Sequence, residues 1–522
     1  HRTFSGDLTG RKVGFHLNNP NYTVSTNTLL QFVSSSLTVS AGNLTLTNVS
    51  SNNGILFATG KTLIEGGTVN VPSVFIAEDY TQTGGTVTSC KAGPSFFGCG
   101  FGASGPPYTR FAMSGGAIVI ERTGTFGNAS GTRSVTGGTL QLGNATSPSS
   151  QIFTIAGLVP NLTLDNSVSG HQTLVDPNNN MSVLGTTEIK SGTTLRTGGI
   201  STGSSSFSQI GANFINNGTL RVTQNITNAA PFSFNSNIPQ TYSGTGVAGT
   251  TTTPLSDFGI FNPAGVTIDP AATTIITNRV NLFTGTLTNS NKVQIRSTGS
   301  LSAIIQRGNA NAQTQPPGEF DVPPSFVIGT TGLEILYANA GDNIETGNEI
   351  PASRTVRRVL FSCPEGITIA GGDLTIANGS PAGAVQFTSG IVNTGANTLI
   401  LAANTAITRT DGFVDGNLRI NYSSTGSKVF HVGTANGYSP VTANVSALGL
   451  NPSSLTIKAN QGPHPNAPIA ASALKRFWSL TETGDLAATL TFGYLETDLP
   501  VGLPENSLDL KRYTGSGTVF DT

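Results

Sequence analysis

Charge is scarce in this chain. Asp, Glu, Lys and Arg make up 10% of its 522 residues, against about 25% in ordinary globular proteins. The 26 basic and 27 acidic side chains leave a net charge of −1. Such a balance gives no electrostatic footprint for nucleic acid or for an anionic lipid surface. No run of 18 apolar residues occurs, so no transmembrane helix and no membrane insertion are predicted. A basic segment followed by an apolar one is missing after His1, so the chain reads as a mature product whose signal peptide has been removed. That predicts an extracellular or cell-surface location.

Histidine and cysteine are few. His1, His16, His171, His431 and His464 are scattered, with no two at ligand spacing, and each reads as structural or exposed. Cys90 and Cys99 close SCKAGPSFFGCGFG and are predicted to form a disulfide across that small loop. Their spacing lacks the paired CxxC or His partners of a zinc site. Cys363 is left over and reads as a buried, inert thiol. No Walker or Rossmann glycine pattern sits between a strand and a helix. Aromatic residues are not interleaved with basic ones, as a single-stranded nucleic-acid groove would require. No metal or cofactor is predicted.

What the chain has in quantity is Gly, 64 residues, together with Thr, Ser and Asn. Hydroxyls and amides keep its surface wet, and β-branched Thr suits exposed strand faces. From Gly366 to Gly433, short apolar triplets such as Ile367–Ile369, Leu374–Ile376 and Leu418–Ile420 alternate with turn residues. Each triplet has the period of two that points every second side chain to one face of a strand. The same unit occurs upstream at Gly42–Leu46, Gly67–Val71, Gly138–Leu142 and Gly218–Val222. Several neighbours are roughly 17–25 residues apart, a solenoid-like spacing. One such coil cannot bury its apolar face alone, but stacked coils share a narrow core. A string of antiparallel sandwiches is the rival architecture.

The expected fold is therefore all-β: an elongated parallel β-solenoid (β-helix) followed by a C-terminal antiparallel β-sandwich. Residues 1–40 are the N-terminal strand or cap region. Residues 41–445 are the solenoid, with Pro/Gly-rich loop insertions near 90–110 and 308–326. Near Leu448 the runs lengthen, and KRFWSL, ATLTFGYL and SLDLKRYTG alternate apolar and polar residues. Residues 446–522 form the sandwich module, which stops after about three to five strands and leaves an unpaired edge. Trp478, the only tryptophan, is its predicted core anchor.

Residues 430–445 (FHVGTANGYSPVTANV) and 476–517 (RFWSLTETGDLAATLTFGYLETDLPVGLPENSLDLKRYTGSG), with GIVNTGANTLIL and GFVDGNLRI upstream, carry a resemblance. They resemble the C-terminal region of large, repetitive, β-rich secreted surface proteins of Bacteroidota and related bacteria, which are β-helix or adhesin-like. The resemblance covers residues 366–520, and the rest only in style. It implies an exported surface or matrix component with one or two further strands in the final module.

Candidate chemistry is thin. Asp411 and Asp415 in TRTDGFVDGN read as turn residues rather than a carboxylate pair across a sugar. Asp342, Glu345 and Glu349 read as a solvated loop without EF-hand or repeat-type calcium spacing. Gly199, Ser201 and Gly203 match GxSxG without the strand–elbow–helix context of a nucleophile. Twelve Asn-X-Ser/Thr sequons are glycosylation candidates: Asn21, Asn43, Asn48, Asn128, Asn144, Asn161, Asn180, Asn217, Asn225, Asn378, Asn421 and Asn444.

Together these features predict a bacterial, extracellular, non-catalytic structural glycoprotein that self-assembles as a surface or matrix filament subunit. Its expected partners are copies of itself, joined by strand exchange, with a donor within residues 1–20 and an acceptor at 470–522. The alternatives are a cell-surface adhesin binding glycans through the two loops and a polysaccharide lyase or hydrolase on a β-helix.

Overall fold

The computed structural model describes residues 14–26, 30–32, 36–47, 56–73, 75–90, 100–101, 110–126, 132–165, 170–175, 180–197, 206–223, 232–309, 315–339, 341–377, 384–449, 453–514 and 520–521. Among them there is no α-helix, only strands and four 3₁₀ turns. No helix is long and apolar enough to cross a membrane. The protein is all-β, and most of its strand pairs are parallel. It packs as two compact units, His1–Arg296 and Ser297–Thr522.

In the first unit, one buried position passes from strand to strand in register. Leu44 lies beside Val69, then follow Val87, Ile118, Leu140, Leu162, Thr187, Phe214, Tyr242 and Ile268. All ten are buried. The steps run from 18 residues (Val69 to Val87) to 31 (Val87 to Ile118), wider than the spacing read from sequence. Their neighbours along the strand, Thr45, Asn70, Thr88, Gln141 and Thr163, are part-exposed. The period of two thus separates core from surface. Aromatic side chains stack along the same direction: Phe207 on Phe232 at 5.4 Å, and Phe232 on Phe258 at 5.9 Å.

Six strands near the start close a parallel ring. Leu37–Leu46 pairs with Leu56–Ile64, then come Phe75–Gln82, Arg110–Ile120, Thr86–Ser89 and Thr68–Asn70, which returns to Leu37–Leu46. Double glycines make its corners. A Cβ on Gly84 would lie 2.1 Å from the Glu65 carbonyl, and one on Gly115 2.3 Å from that of Thr83. The following residues, Gly85 and Gly116, have φ of +66° and +75°. Only glycine meets both demands.

The second unit begins with five parallel strands, Ala303–Arg307, Leu333–Ala338, Arg358–Ser362, Ala384–Ser389 and Ala406–Arg409. Tyr337, Phe361 and Phe387 stack at 6.0 and 5.6 Å. A companion column runs through Leu374, Leu399 and Leu418. Then the pairing changes sense. The strand Phe413–Tyr422 takes Ser453–Gln461 antiparallel, and that strand takes Arg476–Thr483 antiparallel. A second antiparallel sheet holds Gly426–Phe430, Val441–Ala447 and Ala487–Phe492.

One sequence reading differs from the structure here. The segment 308–326 is not wholly loop: Glu319–Phe320 and Ser325–Val327 are strands. Arg307 Nε donates to the Gly318 carbonyl at 2.8 Å, and Asn348 Nδ2 to that of Phe320 at 2.9 Å, so buried and part-buried donors draw the segment in. The expected strand donor within residues 1–20 lies mostly outside the described residues. Its end, from Phe15, is already paired with the same chain, Phe15 beside Leu37 and Leu17 beside Val39.

Candidate functional site: the open side of the antiparallel module

The two antiparallel sheets meet through Trp478 and Phe492, whose rings lie 4.9 Å apart. Trp478 is only part-buried, and its Nε1 donates to the Ser439 carbonyl at 3.3 Å. Behind the edge strands the core is complete. Leu455, Ile457 and Ala459 on one sheet and Val441, Ala443 and Val445 on the other are buried. At the edges it runs out. Leu480, directly beside the fully buried Ile457, is 40% exposed. Leu490 and Phe492, beside Ala443 and Val441, are part-exposed. Arg476–Thr483 and Ala487–Phe492 each have one strand neighbour among the described residues. Their other edges offer unpaired backbone N–H and C=O groups.

A buried polar network holds the base of this module. Arg476 Nε donates to Asp498 Oδ2 at 2.6 Å, Nη1 to Thr434 Oγ1 at 3.0 Å and Nη2 to Gln461 Oε1 at 3.1 Å. Burial pushes the Asp498 carboxyl up. The hydrogen bonds from Arg476 and the Leu495 N–H outweigh that and hold it below the usual carboxylate range. No spacing in the sequence announces this network, because its members stand 15 to 42 residues apart.

Other expected sites disperse. The Asp411 side chain is 85% exposed, 4.0 Å from Arg409 Nη2, whereas Asp415 is part-buried and raised by burial, tempered by Lys458. Glu349 is not in a solvated loop. It is 1% exposed, 3.1 Å from Arg307 Nη1, and accepts from Tyr337 Oη at 2.8 Å and the Gly347 N–H at 2.9 Å. Asp342 and Glu345 are exposed. Among the described residues no group of three His, Cys, Asp or Glu side chains is placed to hold a metal. Gly199, Ser201, Gly203 and His1 lie outside the described residues.

His171 is buried against Phe153, with Nε2 2.7 Å from the Pro148 carbonyl. His431 Nδ1 is 2.7 Å from Tyr438 Oη, and burial together with Arg409 pushes its imidazole down to about 4. His464 lies between Phe477 and Tyr513.

Sequence reading missed one constellation. His16 Nε2 lies 2.9 Å from Ser40 Oγ, and Ser40 Oγ donates to Glu65 Oε2 at 2.6 Å. A register shift beside Ser40, between the pairs Leu17–Val39 and Asn18–Ala41, brings it to His16, and Glu65 follows Ile64, the partner of Val39. The order is wrong for a nucleophile: the serine hydroxyl donates its hydrogen bond to the carboxylate, and no acid orients the imidazole.

Cys90 is buried and disulfide-bonded; Cys99 lies outside the described residues, and Cys363 is a free, buried thiol whose Sγ donates to the Asp342 carbonyl. The sequons fall in different settings. Asn21, Asn180, Asn217 and Asn444 are exposed, while Asn43, Asn144, Asn161 and Asn421 are part-exposed. Asn161 is built into the fold: Nδ2 donates to the Gly138 carbonyl at 2.7 Å and Oδ1 accepts the Thr186 N–H at 2.8 Å. Asn48, Asn128, Asn225 and Asn378 lie outside the described residues. Comparison with protein-family models, curated proteins and solved structures gives no match.

Proposed function

We propose that this chain is a non-catalytic extracellular structural protein, the subunit of a surface or matrix filament that assembles by strand exchange between copies. In this reading the parallel strands are a β-solenoid that supplies length and stiffness, and the antiparallel strands are a β-sandwich with one side unfilled. The observation that carries the reading is Leu480. It stands in the core row beside buried Ile457, yet it is 40% exposed at a strand edge with no partner among the described residues. A strand added there gains main-chain hydrogen bonds for strength and side-chain pockets for register. The uncharged Thr and Asn side chains of the long faces suit a surface that meets water without electrostatic steering.

Negative-stain electron microscopy of the natively secreted material, with its intact mass, tests the reading. Regular polymers are expected, and glycan-bearing Asn peptides in a digest of that material would add glycosylation. Discrete monomers at all concentrations would overturn assembly.

A further inference from the structure

The free edge of Arg476–Thr483 has a defined chemistry. Trp478, Leu480 and Glu482 share the face that packs beside Ala459, Ile457 and Leu455. From Phe477 to Thr483 there is no proline, no lysine and no break in register, the devices that usually blunt an edge.

A segment of matching pattern lies nearby in the chain. Leu508, Leu510 and Arg512 alternate with Asp509 and Lys511. This is strand patterning, yet only Arg512–Tyr513 is assigned to a strand, paired on one edge with Phe520–Asp521 of the same chain, and Leu510 is 72% exposed. The tail ahead of it is equally unburied, with Val501 93% exposed.

We propose that Leu508–Arg512 of a second copy adds as a parallel strand to the free edge of Arg476–Thr483. Leu508 then lies beside Trp478, Leu510 beside Leu480 and Arg512 beside Glu482. This rests on the assembly reading above and names its contact. Charge selects the direction: antiparallel alignments that place Leu510 beside Trp478 or beside Leu480 set Arg512 beside Arg476 or beside Trp478, and in both Glu482 gains no cation, whereas the parallel alignment pairs it with Arg512. Anchoring selects the copy. The Tyr513 ring lies 5.0 Å from that of His464, tilted by 52°, and His464 in turn lies 4.9 Å from Phe477. The parallel register needs Tyr513 beside Thr483, roughly 20 Å along the strand from Phe477. A chain whose Tyr513 stays on its own His464 cannot fill its own edge, but it can present the segment to another.

Two experiments on the full chain test the contact. In sedimentation measurements, Glu482→Arg and Arg512→Glu should each weaken self-association on the order of tenfold, and the two together should restore it. Leu480→Cys protein mixed with Leu510→Cys protein should give an intermolecular disulfide on oxidation, seen on non-reducing gels. Glu482 also accepts the Leu486 N–H. The cysteine pair therefore decides the matter if Glu482→Arg fails to fold. Assembly of the unaltered chain without charge rescue or cross-linking would overturn this contact and leave the assembly reading intact. A cross-link forming only within chains that carry both cysteines would assign the segment to its own edge and overturn the proposal. Wild-type protein monomeric at every concentration would overturn both.

Discussion

Arg476 and Asp498 form an ion pair that is 2% exposed on each side, with Nε and Oδ2 2.6 Å apart. It ties the first residue of an edge strand to the turn that follows the last long strand. The Lys475 N–H donates to the Asp498 carbonyl at 2.8 Å and closes the same junction. The module therefore has a firm base, and further along the same strand Leu480 is 40% exposed.

Removing one partner leaves the other buried without compensation. Asp498→Asn or Arg476→Met should destabilise the module by about 3–5 kcal/mol. Trp478, the only tryptophan, reports the transition by fluorescence in urea. The wild-type carboxyl titrates below its ordinary 3.8 in the fold. Its contribution is present above that value and is lost as pH falls through the lowered one. An Asp498→Asn transition at the wild-type midpoint would sink this account.

The first unit has the opposite dependence. Asp257 is buried, with Oδ1 accepting from Asn281 Nδ2 at 2.7 Å and Oδ2 3.8 Å from Arg279 Nε. Burial pushes its carboxyl up to about 7, against the pull of Arg279, Asn281 and the Phe258 N–H. The fold then holds this proton more tightly than the unfolded chain. Its contribution is complete below 3.8 and is lost as pH rises toward 7. Urea unfolding of the first unit should show a higher midpoint at acidic than at alkaline pH, and Asp257→Asn should flatten that difference. A slope that survives the substitution would reject the assignment.

Corner glycines should be intolerant for a reason separable from chain entropy. Gly115→Ala sets a Cβ 2.3 Å from the Thr83 carbonyl, whereas one at Gly299 meets nothing within 4 Å. The first substitution should cost about 1–3 kcal/mol, and the second should be nearly neutral. Thermal unfolding of the two variants compares them directly; equal melting temperatures would contradict the close approach.

Ser40 should be inert despite its His16 and Glu65 neighbours. Its proton is donated to Glu65 rather than to the imidazole. A fluorophosphonate probe should leave Ser40 unmodified by mass spectrometry. An adduct there would mean that the hydrogen-bond order reverses in solution.

Much of the fold was legible because it is local. The triplets Leu44–Leu46, Leu140–Leu142 and Leu418–Ile420 bury the residues that their period of two predicts. The double glycines mark corners because a strand passing over its predecessor has no room for a Cβ. Glu349 was misread as solvated because its partners, Arg307 and Tyr337, are 42 and 12 residues away and reach it only through stacked strands.

The amino-acid order by itself determined the strand class, the alternation of core and surface, and the turns. Those depend on dihedral preference and on side chains one or two positions apart. Only the tertiary structure decided which rows meet: Ser40 with His16 and Glu65, Arg476 with Asp498, and Leu480 exposed beside buried Ile457. Register between strands is set by the summed fit of many coils, and no short window of sequence contains that sum.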